Sequence, residues 1–235
     1  HTAAAEQYVR RAIEIEPRNY NFYNTLAEIF RLASPNTQYA LAAEAYTQAV
    51  ELLAPGWLAR TEEEGRRGEG VPESALEIGA HLGSMRHSLA QFQEAMRVLG
   101  KVVQLCPLEA CTDAHFNLAL LLRDHGGDEE KGRSLRIMEA LRDRQGPTFN
   151  PYRHLHVAIG VHVMMRLAEA VDKYQEILQF METHPEDPRL TAYVRTTTLV
   201  NCGAALQESG DFVEAIALYR RAIALNGADG RAYNN

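Results

Sequence analysis

Along most of the chain, apolar positions recur three and four residues apart and are interrupted by clusters of turn-forming residues. That spacing predicts a succession of amphipathic helices. Residues 199–225 show it most clearly. Cys202, Gly203 and Leu206 share one face of a first helix, and Phe212, Ala215, Tyr219 and Ala222 share one face of a second. Between them stands Gly210-Asp211, a glycine to end one helix and an aspartate to cap the next. Gly203 and Ala215 are small where two helices must approach closely, and Phe212 and Tyr219 are expected to fill the gaps beside them.

The same grammar repeats along the chain. A large–small pair is followed twelve residues on by alanine in Leu82-Gly83 with Ala95, in Val157-Ala158 with Ala170, and from Gly203 to Ala215. For Leu26-Ala27 and Ala42 the distance is fifteen, with the extra residues placed at the turn-forming Ser34-Pro35-Asn36. The unit around Leu118-Ala119 is the most degraded. Lys131 stands where a small residue belongs, and Gly132 is expected to replace it by a one-residue slip. Met164-Met165-Arg166 must turn without glycine. These readings divide the chain into repeats at 20–54, 75–107, 111–144, 151–184 and 188–226. Residues 1–17 read as the second helix of a truncated repeat, and 230–235 as the opening of another. Residues 55–74 are charged, glycine-rich and aperiodic, and are read as an inserted flexible loop with Trp57 packed on the preceding helix. A start at His1, with no signal peptide, reads as a piece of a longer polypeptide.

The large–small pair, the Gly-Asp turn and the Ala, Tyr and Ala of the second helix resemble the tetratricopeptide repeat (TPR) family, whose unit is about 34 residues. The closing proline is absent from the last unit, where Gly227 stands. The resemblance covers nearly the whole chain. It implies an all-α fold, a TPR-like right-handed superhelical solenoid of antiparallel helix pairs whose first helices line a concave groove. The alternative is an irregular helical bundle.

The resemblance also implies a protein–protein interaction scaffold that binds a peptide or partner segment, and no reaction. The residue just before each large–small pair should face the groove, giving the series Thr25, His81, Asn117, His156, Asn201 and Asn235. In glycosyltransferase-associated arrays a comparable run of asparagines grips the backbone of an extended peptide. Asn117, Asn201 and Asn235 match that pattern; Thr25, His81 and His156 depart from it. An amide both donates to a peptide carbonyl and accepts from its N–H. The plainer reading makes all six ordinary solvated positions. A clamp for an acidic C-terminus could use Asn24 and Asn117, but Glu28 and Asp113 would repel such a ligand. Two other functions stay open: a substrate-recognition arm of a larger enzyme such as a glycosyltransferase, and a structural subunit of a large assembly.

Net charge, −7 with a pI near 5.7, gives no general attraction to nucleic acid. No apolar run is long enough to span a membrane. Cys106, Cys111 and Cys202 are too few for a disulfide framework and suggest a reducing, intracellular and cytoplasmic setting. Cys106, Cys111 and His115, or His154, His156 and His162, could be read as metal ligands, but neither set has the spacing and the four ligands of a closed site. No catalytic or phosphate-cradling motif occurs. The expectation is therefore a non-enzymatic fragment without cofactors, whose oligomeric state the sequence leaves open.

Overall fold

Eleven α-helices and one short 3-10 turn account for the regular structure of the computed structural model, which describes residues 2–33, 38–60, 70–144 and 149–225. No strand occurs among the described residues. The helices are α1 (Thr2–Ile15), α2 (Tyr20–Ala33), α3 (Tyr39–Leu53), α4 (Glu73–Ser88), α5 (Phe92–Leu105) and α6 (Thr112–His125). They continue with α7 (Asp128–Asp143), α8 (Pro151–Val163), α9 (Leu167–Thr183), α10 (Ala192–Glu208) and α11 (Phe212–Leu225). The chain forms two compact units, His1–Leu121 and Leu122–Asn235. In the first, α2 packs on α3, α3 on α4, and α4 on α5; in the second, α8 packs on α9, α9 on α10, and α10 on α11. These helices thus bury their apolar stripes against their neighbours in sequence, as expected of a repeat array.

Three turns show how local chemistry reverses the chain. Gly210 has φ +90°, and the Asp211 N–H donates to the Leu206 carbonyl at 2.8 Å. Asp211 then caps α11, its carboxylate accepting from the Glu214 N–H at 3.3 Å. Ala90 and Met165 adopt the same left-handed conformation at φ +58°, and the N–H groups of Gln91 and Arg166 bond back to the carbonyls of Arg86 and Val161. The glycine-free turn therefore forms with the glycine geometry, at a steric cost of about 1–2 kcal/mol for the side chain. Helices α8 and α10 start on side-chain caps, Asn150 to the Arg153 N–H and Thr191 to the Val194 N–H.

Small residues permit the close approaches. A Cβ on Gly83 would lie 2.5 Å from Leu99 Cγ, and one on Gly203 would lie 2.7 Å from the Tyr219 ring. Around these contacts Leu82, Leu99, Tyr46, Tyr174, Ile177 and Leu199 are fully buried. Each large apolar side chain so buried contributes about 1.5–3 kcal/mol.

Several expectations are corrected. Phe212 fills no gap; it begins α11 and is 61% exposed, while Ala215, Tyr219 and Ala222 are buried. In α7 the small buried residue is Ser134 rather than Gly132, whose missing Cβ faces only the Arg136 side chain at 3.6 Å. Ser134 follows Ala119 by fifteen residues, the separation also seen from Ala27 to Ala42. Trp57 lies in a turn that contacts the preceding α3, as expected, and its ring also reaches Gly79 of α4. Residues Trp57–Ala59 form the 3-10 turn, and the buried Lys101 ammonium donates to the carbonyls of Trp57 (3.0 Å), Leu58 (2.9 Å) and Arg60. The base of the insertion is thus ordered; 61–69 and the turn at Ser34-Pro35-Asn36 lie outside the described residues.

Candidate functional site

In unit one, helices α2, α4 and α6 border a groove of about 650 Å3. Helical spacing places Glu77, His81 and Ser84 on this side of α4, while Ile78 and Leu82 point into the core. Asp113 and Asn117 face the groove from α6 and Arg31 from α2; Ala80, Ala114 and Met85 supply apolar surface. The Asn117 amide donates to Ser84 Oγ at 3.2 Å, and that hydroxyl donates to the Ala80 carbonyl at 3.1 Å. This pair of bonds ties α6 to α4 across the groove floor.

Its charges are unevenly matched. Arg31 is held by Glu28 at 2.5 Å. Glu28 also accepts from the buried Tyr46 hydroxyl and lies 3.5 Å from His81 Nδ1. Burial by itself would raise the Glu28 carboxyl, but hydrogen bonds from Arg31 and Tyr46, with the nearby charges, bring it below its ordinary value. Burial and the Glu28 bond raise the Tyr46 phenol. Glu77 and Asp113 are exposed and make no ion pair among the described residues.

Unit two gives the corresponding side of its first helices different surroundings, with several of its polar side chains buried. Tyr152 and His156 stand one turn apart on α8; Tyr193, Thr197 and Asn201 follow at the same spacing on α10. The Tyr152 ring meets His156 edge-on at 4.6 Å and lies 6.3 Å from Tyr193. His156 is only 3% exposed, and its Nδ1 accepts from Arg123 at 3.2 Å. Burial, with the adjacent guanidinium, pushes its pKa down to about 4. Asn201 is half-buried beside the Tyr174 hydroxyl, a phenol that burial raises.

The six residues of the series therefore have unlike surroundings. His81 and Asn117 share one groove. Thr25 is exposed but directs its hydroxyl to the Asn21 carbonyl at 2.8 Å. His156 is buried, Asn201 is half-buried, and Asn235 lies outside the described residues. The groove also uses Arg31, Glu77, Ser84 and Asp113. Glu77 and Asp113 stand four residues before His81 and Asn117, and Ser84 stands three after His81, so helical periodicity would have found them.

The cysteines correct another expectation. Cys106 and Cys111 form a disulfide, with Cα atoms 5.9 Å apart. The N–H groups of Ala110 and Cys111 both bond to the Pro107 carbonyl, a turn that brings the two cysteines within bridging distance. Neither thiol is then available to a metal. Cys202 is buried, which pushes its pKa up to about 12. The histidines of α8 are used separately: His154 bonds the Asn150 carbonyl, His156 bonds Arg123, and His162 bonds Glu208. No cluster of three or more potential metal ligands occurs among the described residues.

The tetratricopeptide repeat family model matches residues 198–233. No curated protein matches the chain. Among solved structures, the chain is similar to YrrB, described as a TPR protein with an unusual peptide-binding site, at 14% identity, 98% coverage of both chains and a TM-score of 0.65. It is also similar to the TPR-like repeats of a putative kinesin light chain from Podosopora anserina, at 19% identity, with 89% of this chain and 96% of that one covered and a TM-score of 0.64. A third likeness is to BtubC from P. vanneervenii, at 14% identity, with 97% and 89% covered and a TM-score of 0.64. At these identities the likeness concerns the fold, an all-α TPR solenoid.

Proposed function

We propose that this tetratricopeptide-repeat chain is a non-catalytic interaction scaffold that holds an extended protein segment on the faces of its first helices. One observation carries the reading: the 650 Å3 groove of unit one, which sets the His81, Ser84 and Asn117 side chains beside apolar Ala80, Ala114 and Met85. Polar groups there can hydrogen-bond a peptide backbone while Ala80 and Ala110 receive its side chains. The described structural relative with a peptide-binding site supports the same kind of use. The Cys106–Cys111 disulfide weighs against a cytoplasmic setting, because disulfides persist where the medium is oxidising. No helix among the described residues is long and apolar enough to cross a membrane.

The test is a photo-crosslinking residue placed at Ser84, with the captured segment identified by mass spectrometry and then synthesised. Asn117→Ala should weaken that segment by about 0.5–1.5 kcal/mol, the net worth of a hydrogen bond. Capture at Ser84 that is unaffected by excess synthetic segment would overturn the reading.

A further inference from the structure

The charge of the groove in unit one points to the chemistry of its occupant. We propose that the segment held there is basic, and that Glu77 and Asp113 receive its lysine or arginine side chains. The proposal rests on the groove-binding reading above and specifies the partner. Arg31, the one guanidinium or ammonium bordering the groove among the described residues, is neutralised by Glu28 at 2.5 Å. Glu77 and Asp113 have no such counterion, and they project from facing helices, α4 and α6, into the same 650 Å3 space. An acidic segment would meet two uncompensated carboxylates, and a neutral one would leave them without partners. A lysine or arginine supplies the missing charge, and its aliphatic stem fits the apolar surface of Ala80 and Ala110. The Asn117 amide, with one N–H given to Ser84, keeps its Oδ1 and its second N–H for the peptide backbone, so side-chain charge and backbone recognition are assigned to different residues.

The experiment uses the full chain and three sets of synthetic peptides of equal length, with the same positions occupied by lysine, glutamine or glutamate. Calorimetric titration at low and high salt should rank lysine above glutamine above glutamate, with the lysine set the most salt-sensitive. The double variant E77Q/D113N should weaken the lysine set by about two- to thirtyfold and reduce its salt dependence. The control E129Q/E130Q, which removes exposed charge from α7, should leave lysine binding unchanged. Equal binding of the lysine and glutamine sets, or lysine binding indifferent to E77Q/D113N, overturns the basic-segment proposal and leaves the groove reading standing. If no set binds a chain that melts cooperatively, the groove reading itself falls.

Discussion

His81 and His156 hold the same place in their repeats, one residue before the large–small pair, yet the two units give them opposite surroundings. In unit one the imidazole is exposed, 3.5 Å from the Glu28 carboxylate, beside an open groove. In unit two it is buried under Tyr152 and accepts from a guanidinium, so only its neutral form fits. A repeat position therefore fixes which way a side chain leaves the helix, but the neighbouring helices decide whether it meets solvent, a charge or a ring. The units agree in their packing and differ in the faces they present.

The agreement can be broken most forcefully at the close approaches. Gly83→Leu and Gly203→Leu should each cost about 3 kcal/mol, the upper part of the usual overpacking range, because Leu99 and Tyr219 already occupy the space. Denaturant unfolding measures both. A neutral result in either unit would show that its helices do not meet at the glycine.

The difference between the histidines should appear in stability against pH. The folded pKa of His156 is about 4, below the ordinary value near 6.5, so between these values the unfolded chain binds more protons. Stability is therefore lost as pH falls through this window, by about 2 kcal/mol at pH 5. His156→Gln should remove that component of the slope, and His81→Gln should leave it in place. Chemical denaturation at pH 7.5 and pH 5 reads the result.

The turns offer a smaller effect of opposite sign. Ala90→Gly in unit one and Met165→Gly in unit two should stabilise the chain by about 0.5–1 kcal/mol each, relief of left-handed strain exceeding the entropy of glycine in the unfolded state. Thermal melting of the two variants would show whether the units respond alike. Smallest of all is Glu208→Leu. It removes the 3.2 Å contact with His162 at an exposed site and should cost about 0.5 kcal/mol or less.

The helices were legible in the sequence because burying one stripe on successive neighbours imposes a regular apolar spacing, and Gly210-Asp211 marked a turn that the backbone indeed makes. The exceptions have local causes. Ser134 replaces Gly132 because the unit has the fifteen-residue spacing of the first repeat, a choice that a degraded pattern could not identify. Trp57 reaches α4 as well as α3 because Gly79 leaves room for its ring, a vacancy visible only after α4 is placed. The series before each large–small pair led to His81 and Asn117 but could not foresee the burial of His156, which depends on Tyr152 one turn earlier on α8 and on Arg123 reaching it from α6. The disulfide was hidden for a similar reason, since it follows from the turn at Pro107 rather than from the number of cysteines.

Lys101 has a consequence for how this array can diverge. By gathering three carbonyls at the root of the insertion, its ammonium separates the fate of the inserted sequence from that of the helices beyond it. Lengthening any connection between helices costs little in closure entropy, about 0.6 kcal/mol for each doubling of its length. The root has no such latitude. Acylation of that nitrogen, or its replacement by methionine, would cancel the charge and remove donors from carbonyls already turned toward it. The carbonyls of Trp57, Leu58 and Arg60 are the part of this connection that a change at Lys101 would leave without its donor.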